Sequence, residues 1–202
     1  MTLDRFRPLA DRALGPFVRA AAKLGLTPNA VSVLAIVVAG IAAGAFYLGS
    51  EDPLFYGVGA VLVFVNGWLD LIDGALARTL EVASEAGDLL DHVLDRYADI
   101  LIIVGLAAGI GRYDLGIAAV TGVLMTSYLG TQAQAVGLDR VYGGLLGRAD
   151  RLVLIGIVGG VAAVVTEPIQ GLPIVGWLLV VFAVVGHVTA LQRFYYAMGD
   201  LR

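Results

Sequence analysis

Residues 70–95 read DLIDGALARTLEVASEAGDLLDHVLD. Asp70, Asp73, Asp91 and Asp95 lie in this stretch, with Gly74, Ala77, Arg78 and Gly87 between them. The flanks are apolar, VLVFVNGWL over 61–69 and ILIIVGLAAGI over 100–110. A charged side chain at bilayer depth costs a few kcal/mol or more, and marks a functional site by default. Four carboxylates this close repel one another and take up protons unless cations neutralise them.

The rest of the chain supplies the bilayer. Its 202 residues are 59% hydrophobic and 15% charged, where a soluble domain carries about 25% charged residues. The mean hydropathy is +0.87. Apolar runs of about 20 residues recur, each long enough for a ~30 Å hydrocarbon core. The expectation is an all-α, multi-pass integral membrane protein forming a single domain over 1–202. Its 27 glycines then serve close helix approach rather than disorder. The absence of cysteine excludes disulfides and thiolate metal sites. A net charge of −4 argues for no partner, and no basic tract points to nucleic acid. The N-terminal region lacks the pattern of a removable signal peptide.

Working outward, residues 3–24 interleave Arg5, Arg12, Arg19 and Lys23 with Leu3, Phe6, Leu9, Leu14, Phe17 and Val18. This predicts an amphipathic helix over 1–26, lying in the membrane interface with its cations near anionic headgroups. A helix packed on the protein's own surface is the alternative. Thr27-Pro28-Asn29 then opens the first span, with Thr27 suited to the N-cap and Pro28 to the first helical position. Six spans are predicted over 27–202: 28–47, 54–78, 86–110, 115–135, one that follows a polar connection over 137–148 and runs to about 165, and one ending near 198. With the N-terminus in the cytoplasm, the cations from Arg5 to Lys23, Arg78, Arg140, Arg148, Arg151, Arg193 and Arg202 fall at or near the cytoplasmic side. Arg112 falls outside and Arg96 within a span. That bias is of the positive-inside kind. It places the protein in the cytoplasmic membrane, with both termini and the acidic stretch at the cytosolic face.

On two helices joined by a tight turn, Asp70 and Asp73 share a face, and Gly87, Asp91 and Asp95, four apart each time, share another. Asp91 and Asp95 lie about 6 Å apart along the axis, and Arg78 about 8 Å from Asp73 towards the cytosol. If the faces meet, four carboxylates converge below one arginine. Oxygen ligands without His or Cys suit Mg²⁺ or Mn²⁺. Four carboxylates suffice for two ions, which clamp the oxygens of a phosphoryl displacement. Gly74 and Gly87 leave room for a nucleotide or a close backbone, and Arg78 suits a phosphate. The residues thus predict a metal-dependent site at the membrane–cytosol boundary acting on a phosphate or diphosphate, without naming the substrate.

The pattern D-x2-D-G-x2-A-R-x8-G-x3-D-x3-D, carried by Asp70, Asp73, Gly74, Ala77, Arg78, Gly87, Asp91 and Asp95, resembles the signature of the CDP-alcohol phosphotransferases. The interfacial helix, the Thr-Pro-Asn start and the six-span layout extend the resemblance over most of the chain. It implies that Asp70, Asp73 and Asp91 are metal ligands, with Asp95 beside the second metal and also the general base. It implies that Gly74, Ala77, Arg78 and Gly87 line the CDP moiety of a CDP-lipid donor. The acceptor oxygen would attack the lipid-bearing β-phosphate and CMP would leave. Family members look dimeric, so a homodimer is expected.

The segment LLDHVLDRYAD and the downstream GRADR resemble the branch that makes phosphatidyl- and archaetidylinositol phosphate. There, basic residues on later helices hold the acceptor's phosphate, and Arg148, Arg151 and Arg193 stand at matching places. The fourth span departs from that branch. It reads Ser127-Tyr128-Leu129-Gly130-Thr131-Gln132 where those enzymes have a lysine and an arginine after Ser-Tyr. A polyol phosphate, inositol phosphate or glycerol phosphate, is the expected acceptor, with an uncharged alcohol such as serine or inositol as the alternative.

The remaining polar residues have plainer readings. Arg78 alone reads equally as a snorkelling helix-end residue, and Arg148, Arg151 and Arg193 as positive-inside anchors. Asp88 and Asp99 are expected to pair with Arg96 or line the cavity. His92 reads as structural and His187 as a helix–helix hydrogen-bonding residue. Two other functions compete: an intramembrane prenyltransferase, which would release pyrophosphate, and an ion-coupled transporter. The insertion Gly-x2-Ala-Arg after Asp73 favours the phosphotransferase.

Overall fold

In the computed structural model, which describes residues 7–139 and 146–201, with side chains from residue 13 onward, seven helices follow one another. They are α1 (Arg7–Lys23), α2 (Pro28–Leu48), α3 (Leu54–Thr79), α4 (Glu85–Gly109), α5 (Tyr113–Ala135), α6 (Arg148–Ala162) and α7 (Ile174–Asp200). The described residues contain no strand, only an isolated bridge between Ile169 and Leu172. Leu3, Arg5, Phe6, Arg140 and Arg202 lie outside the described residues.

The helix boundaries follow local chemistry. Thr27 Oγ1 accepts from the Ala30 amide at 3.2 Å and Pro28 opens α2, as its sequence predicts. Between α4 and α5, Gly111 takes a left-handed conformation with φ of +65°. Helix α6 ends at Ala162 rather than near 165, the residues beyond it forming a turn.

Among the described residues, three helices, α2, α3 and α7, are long and apolar enough to cross a membrane. The other three predicted spans fall short for identifiable reasons. Helix α4 carries Asp88, Asp91, Asp95, Arg96 and Asp99. Helix α5 dilutes its apolar residues with Thr, Ser and Gln. Helix α6 has 15 residues, under the ~20 that a full span takes.

Helix α2 packs against both α3 and α4; α6 leans on α3 and α7, and α5 on α4 and α7. Phe46, Leu106, Leu179 and Phe182 are fully buried where these helices meet. Small residues let the backbones close in. A Cβ built on Gly105 would stand 2.4 Å from the Ala43 carbonyl oxygen, and one on Gly186 2.7 Å from the Gly122 carbonyl carbon. Only glycine fits at such crossings, the device membrane helices use where lipid gives no hydrophobic drive.

Helix α1 lays Leu14, Val18 and Ala21 against Ile72 and Leu76 of α3, with Val31 of α2 below. Phe17 meets Trp68 edge-on, with ring centroids 5.6 Å apart. One face of the amphipathic helix is therefore docked on the protein itself, while Phe17 remains half-exposed.

Candidate active site

The two halves of the acidic stretch reach one place because the chain reverses between them. At the end of α3, the Leu80 amide donates to the Leu76 carbonyl at 2.9 Å and the Val82 amide to the Ala77 carbonyl at 3.1 Å. Glu81 takes the left-handed conformation, with φ of +55°, that such a helix stop demands. Ser84 then caps α4, its Oγ accepting from the Gly87 amide at 3.2 Å. Asp70 and Asp73 on α3 are thereby turned toward Asp91 and Asp95 on α4.

Asp70, Asp91 and Asp95 each bring a carboxylate oxygen to a common point, all within 4.8 Å of one another. Their helical spacing presents them from two helices at once. An all-oxygen donor set of this size fits a hard divalent cation of the Mg²⁺ or Mn²⁺ kind. Asp73 stands slightly apart. It is buried, and its Oδ2 accepts from Ser32 Oγ on α2 at 2.7 Å. It lines the same pocket as the other three, with Ser32, Asn66 and Arg148. Of the four carboxylates expected to converge, three share the cation-sized cluster and the fourth is tied to α2 at the pocket wall.

Arg148, at the start of α6, enters this cluster. Its Nη1 lies 2.8 Å from Asp70 Oδ1 and its Nη2 2.7 Å from Asp95 Oδ1. Arg151 sits one turn further along α6, 5% exposed, with Nη2 donating to Asp99 Oδ2 at 2.7 Å. Arg193 on α7 is also buried, and its Nη1 donates to the Thr126 carbonyl at 2.6 Å. The three arginines expected at an acceptor phosphate are thus all internal, but only Arg148 lines the pocket itself.

The glycines divide by what surrounds them. A Cβ on Gly74 would meet nothing nearer than Arg78 Nη1 at 3.5 Å, and one on Gly87 would meet Ser84 Oγ at 3.3 Å and Asn29 Oδ1 at 3.6 Å. The protein's own packing does not require a glycine at Gly74, unlike Gly105. Open space beside Gly74 is what a ligand's close approach would use. Ala77 is partly buried beside it, and Arg78 is exposed on the last turn of α3, with no ion-pair partner among the described residues.

Asp99 pairs with Arg96 at 3.4 Å, as its position suggests. Asp88 does not pair with Arg96. It is exposed and lies 3.5 Å from His92 Nδ1. His92 faces its own helix, with Nδ1 2.8 Å from the Asp88 carbonyl oxygen. His187 Nε2 lies 3.3 Å from Thr121 Oγ1, a link between α7 and α5.

Two polar residues that sequence reading passed over belong to the pocket. Asn66 Nδ2 donates to the Ala35 carbonyl at 2.8 Å, while its buried Oδ1 has no hydrogen-bond partner among the described residues. Its position four before Asp70, on the same helix face, was a usable signal. Ser32 had none, because its partner Asp73 lies 41 residues away.

The sequence model of the CDP-alcohol phosphatidyltransferase family matches residues 25–187. An archaetidylinositol phosphate synthase of Pyrococcus horikoshii is 30% identical over 200 residues, covering 98% of each chain. A phosphatidylinositol phosphate synthase of Streptomyces avermitilis is 33% identical over 198 residues, covering 93% of this chain and 78% of its own. The crystal structure of Mycobacterium tuberculosis phosphatidylinositol phosphate synthase with CDP-DAG bound superposes with a TM-score of 0.78 at 28% identity, over 92% of this chain and 94% of that one. The same enzyme with manganese and citrate gives 0.79 at 27% identity, over 92% and 88%.

Proposed function

The chain belongs to the CDP-alcohol phosphatidyltransferase family, and on that premise we propose that it transfers a lipid phosphate from a CDP-linked lipid to a polyol phosphate at the pocket of Asp70, Asp73, Asp91 and Asp95. The observation that carries this reading is the meeting of three carboxylate oxygens within 4.8 Å at a pocket that Arg148 also lines. Family membership sets aside the prenyltransferase and transporter alternatives.

Asp70, Asp73, Asp91 and Asp95 hold Mg²⁺ or Mn²⁺, as one or two ions. When bound, the cation supplies positive charge against the growing negative charge on the departing phosphate. The chain's own residues do the rest. Gly74, Ala77 and Gly87 leave the groove in which CDP lies, and Arg78 pairs with its phosphate. Asp95 accepts the proton of the acceptor hydroxyl. The acceptor oxygen forms a bond to the β-phosphorus that bears the lipid, the bond from that phosphorus to the bridging oxygen breaks, and CMP departs with the electron pair.

Arg148, Arg151 and Arg193 serve the acceptor's phosphate. The Nε atoms of Arg148 and Arg151 are buried donors with no hydrogen-bond partner among the described residues, which leaves capacity for an anion. The N-terminus of α6, from which both project, adds its positive dipole end. The relatives named as inositol phosphate lipid synthases favour the same acceptor class.

The whole of 1–202 is one catalytic domain, with the interfacial helix of 1–26 leading into a six-helix membrane bundle over 27–202. It sits in the cytoplasmic membrane as a homodimer, with both termini and the pocket facing the cytosol. The test supplies purified enzyme with CDP-diacylglycerol or CDP-archaeol. Inositol phosphate, glycerol phosphate, inositol and serine are then offered in turn, and CMP release is followed. A phosphorylated polyol is the expected acceptor, and CMP release with serine or inositol alone overturns that assignment.

A further inference from the structure

Asp99 lies outside the eight-position signature, one helical turn beyond Asp95 on the face that carries Asp91 and Asp95. It is 4% exposed. Three guanidinium groups converge on its single carboxylate. Arg151 Nη2 reaches Oδ2 at 2.7 Å, Arg96 Nη1 reaches the same oxygen at 3.4 Å, and Arg148 Nε stands 4.0 Å from Oδ1. Arg96 also hydrogen-bonds Ser127 on α5. One anion therefore faces three cations drawn from two helices.

A buried carboxylate is costly to keep ionised, and a buried guanidinium costly to keep unpaired. Asp99 compensates one positive charge of the three. Arg148 spends its two terminal nitrogens on Asp70 and Asp95. Helix α6 packs on α3 and α7, and side-chain bonds tie it to α4 at this end, Arg148 to Asp95 and Arg151 to Asp99. The carboxylate thus fixes where the Arg151 guanidinium points, while the Nε of that arginine stays without a hydrogen-bond partner among the described residues.

We propose that Asp99 is a positioning residue for the acceptor's phosphate: it holds Arg151 in the orientation that receives the anion. This rests on the polyol-phosphate reading above. Asp99 lies outside the cluster of Asp70, Asp91 and Asp95 and outside the pocket lining, so its loss separates the two substrates.

The test uses the full-length enzyme in nanodiscs, with inositol phosphate or glycerol phosphate, whichever the wild type accepts. Asp99→Asn keeps an oxygen acceptor but removes the charge. It should raise the acceptor KM about tenfold or more, the scale of one charge-assisted hydrogen bond. The CDP-lipid KM and the Mn²⁺ affinity should stay near wild type. If Asp99→Asn does not fold, Asp99→Glu keeps the charge and displaces it by one methylene, and the same acceptor-only KM rise is expected. A lower melting temperature with both KM values unchanged makes Asp99 merely structural and overturns the proposal. So does an equal rise in both. A wild type that uses only unphosphorylated alcohols fails the acceptor reading first, in an arm that needs no variant.

Discussion

Arg148 Nη2 on α6 stands 2.7 Å from Asp95 Oδ1 on α4. This contact joins the two ends of the proposed reaction, because Asp95 is the group assigned to the acceptor hydroxyl and Arg148 one assigned to the acceptor phosphate. An acceptor that carries both functions a few ångströms apart can engage both residues. A simple amino alcohol engages one.

Asp95→Asn removes the proton acceptor while keeping the size of the side chain. CMP release should fall about 10²–10⁴-fold, the usual worth of general base catalysis. Arg148→Lys should leave the CDP-lipid KM near wild type and raise the acceptor KM about tenfold, since an ammonium cannot supply the two-pronged contact. Steady-state kinetics on each substrate reads both.

Removal of divalent cations with EDTA should abolish CMP release, and Mn²⁺ or Mg²⁺ should restore it. Mn²⁺ titration followed by electron paramagnetic resonance should show weaker binding for Asp70→Asn and Asp91→Asn. Ser32→Ala should weaken it less. That change deprives the buried Asp73 carboxylate of its 2.7 Å donor but removes no ligand, and should cost about 1–3 kcal/mol of stability.

Two glycines should respond in opposite ways to the same substitution. Gly105→Ala drives a methyl into the Ala43 backbone, where a Cβ would sit 2.4 Å from the carbonyl oxygen. It should lower stability by about 1–3 kcal/mol. Gly74→Ala meets only the end of the Arg78 side chain at 3.5 Å, so the melting temperature should hold. The CDP-lipid KM should rise instead, because the methyl occupies the donor's groove.

Glu81→Gly should stabilise the turn that joins the two acidic helices. Glu81 sits at φ of +55°, a conformation that costs an L-residue about 1–2 kcal/mol. Thermal unfolding in detergent should move upward while kcat changes little, since Glu81 is exposed and lines no part of the pocket.

Much of this protein was legible in its residues alone. The spacing of Asp70, Asp73, Asp91 and Asp95 along two helices, the Thr27-Pro28 start of α2 and the reversal near residue 80 are local matters. They follow from the 3.6-residue period and from capping chemistry, so sequence suffices for them. The choice of cation class follows equally from oxygen-only ligands. What the sequence could not decide was which polar groups meet across helices. Asp73 bonds Ser32, Arg148 bridges Asp70 and Asp95, and Asp99 holds Arg151, through pairs 41 to 78 residues apart. Such pairings depend on the rotation and depth of each helix, which close glycine contacts such as Gly105 against Ala43 set. No local pattern encodes that geometry, because it is the sum of packing over all the helices at once.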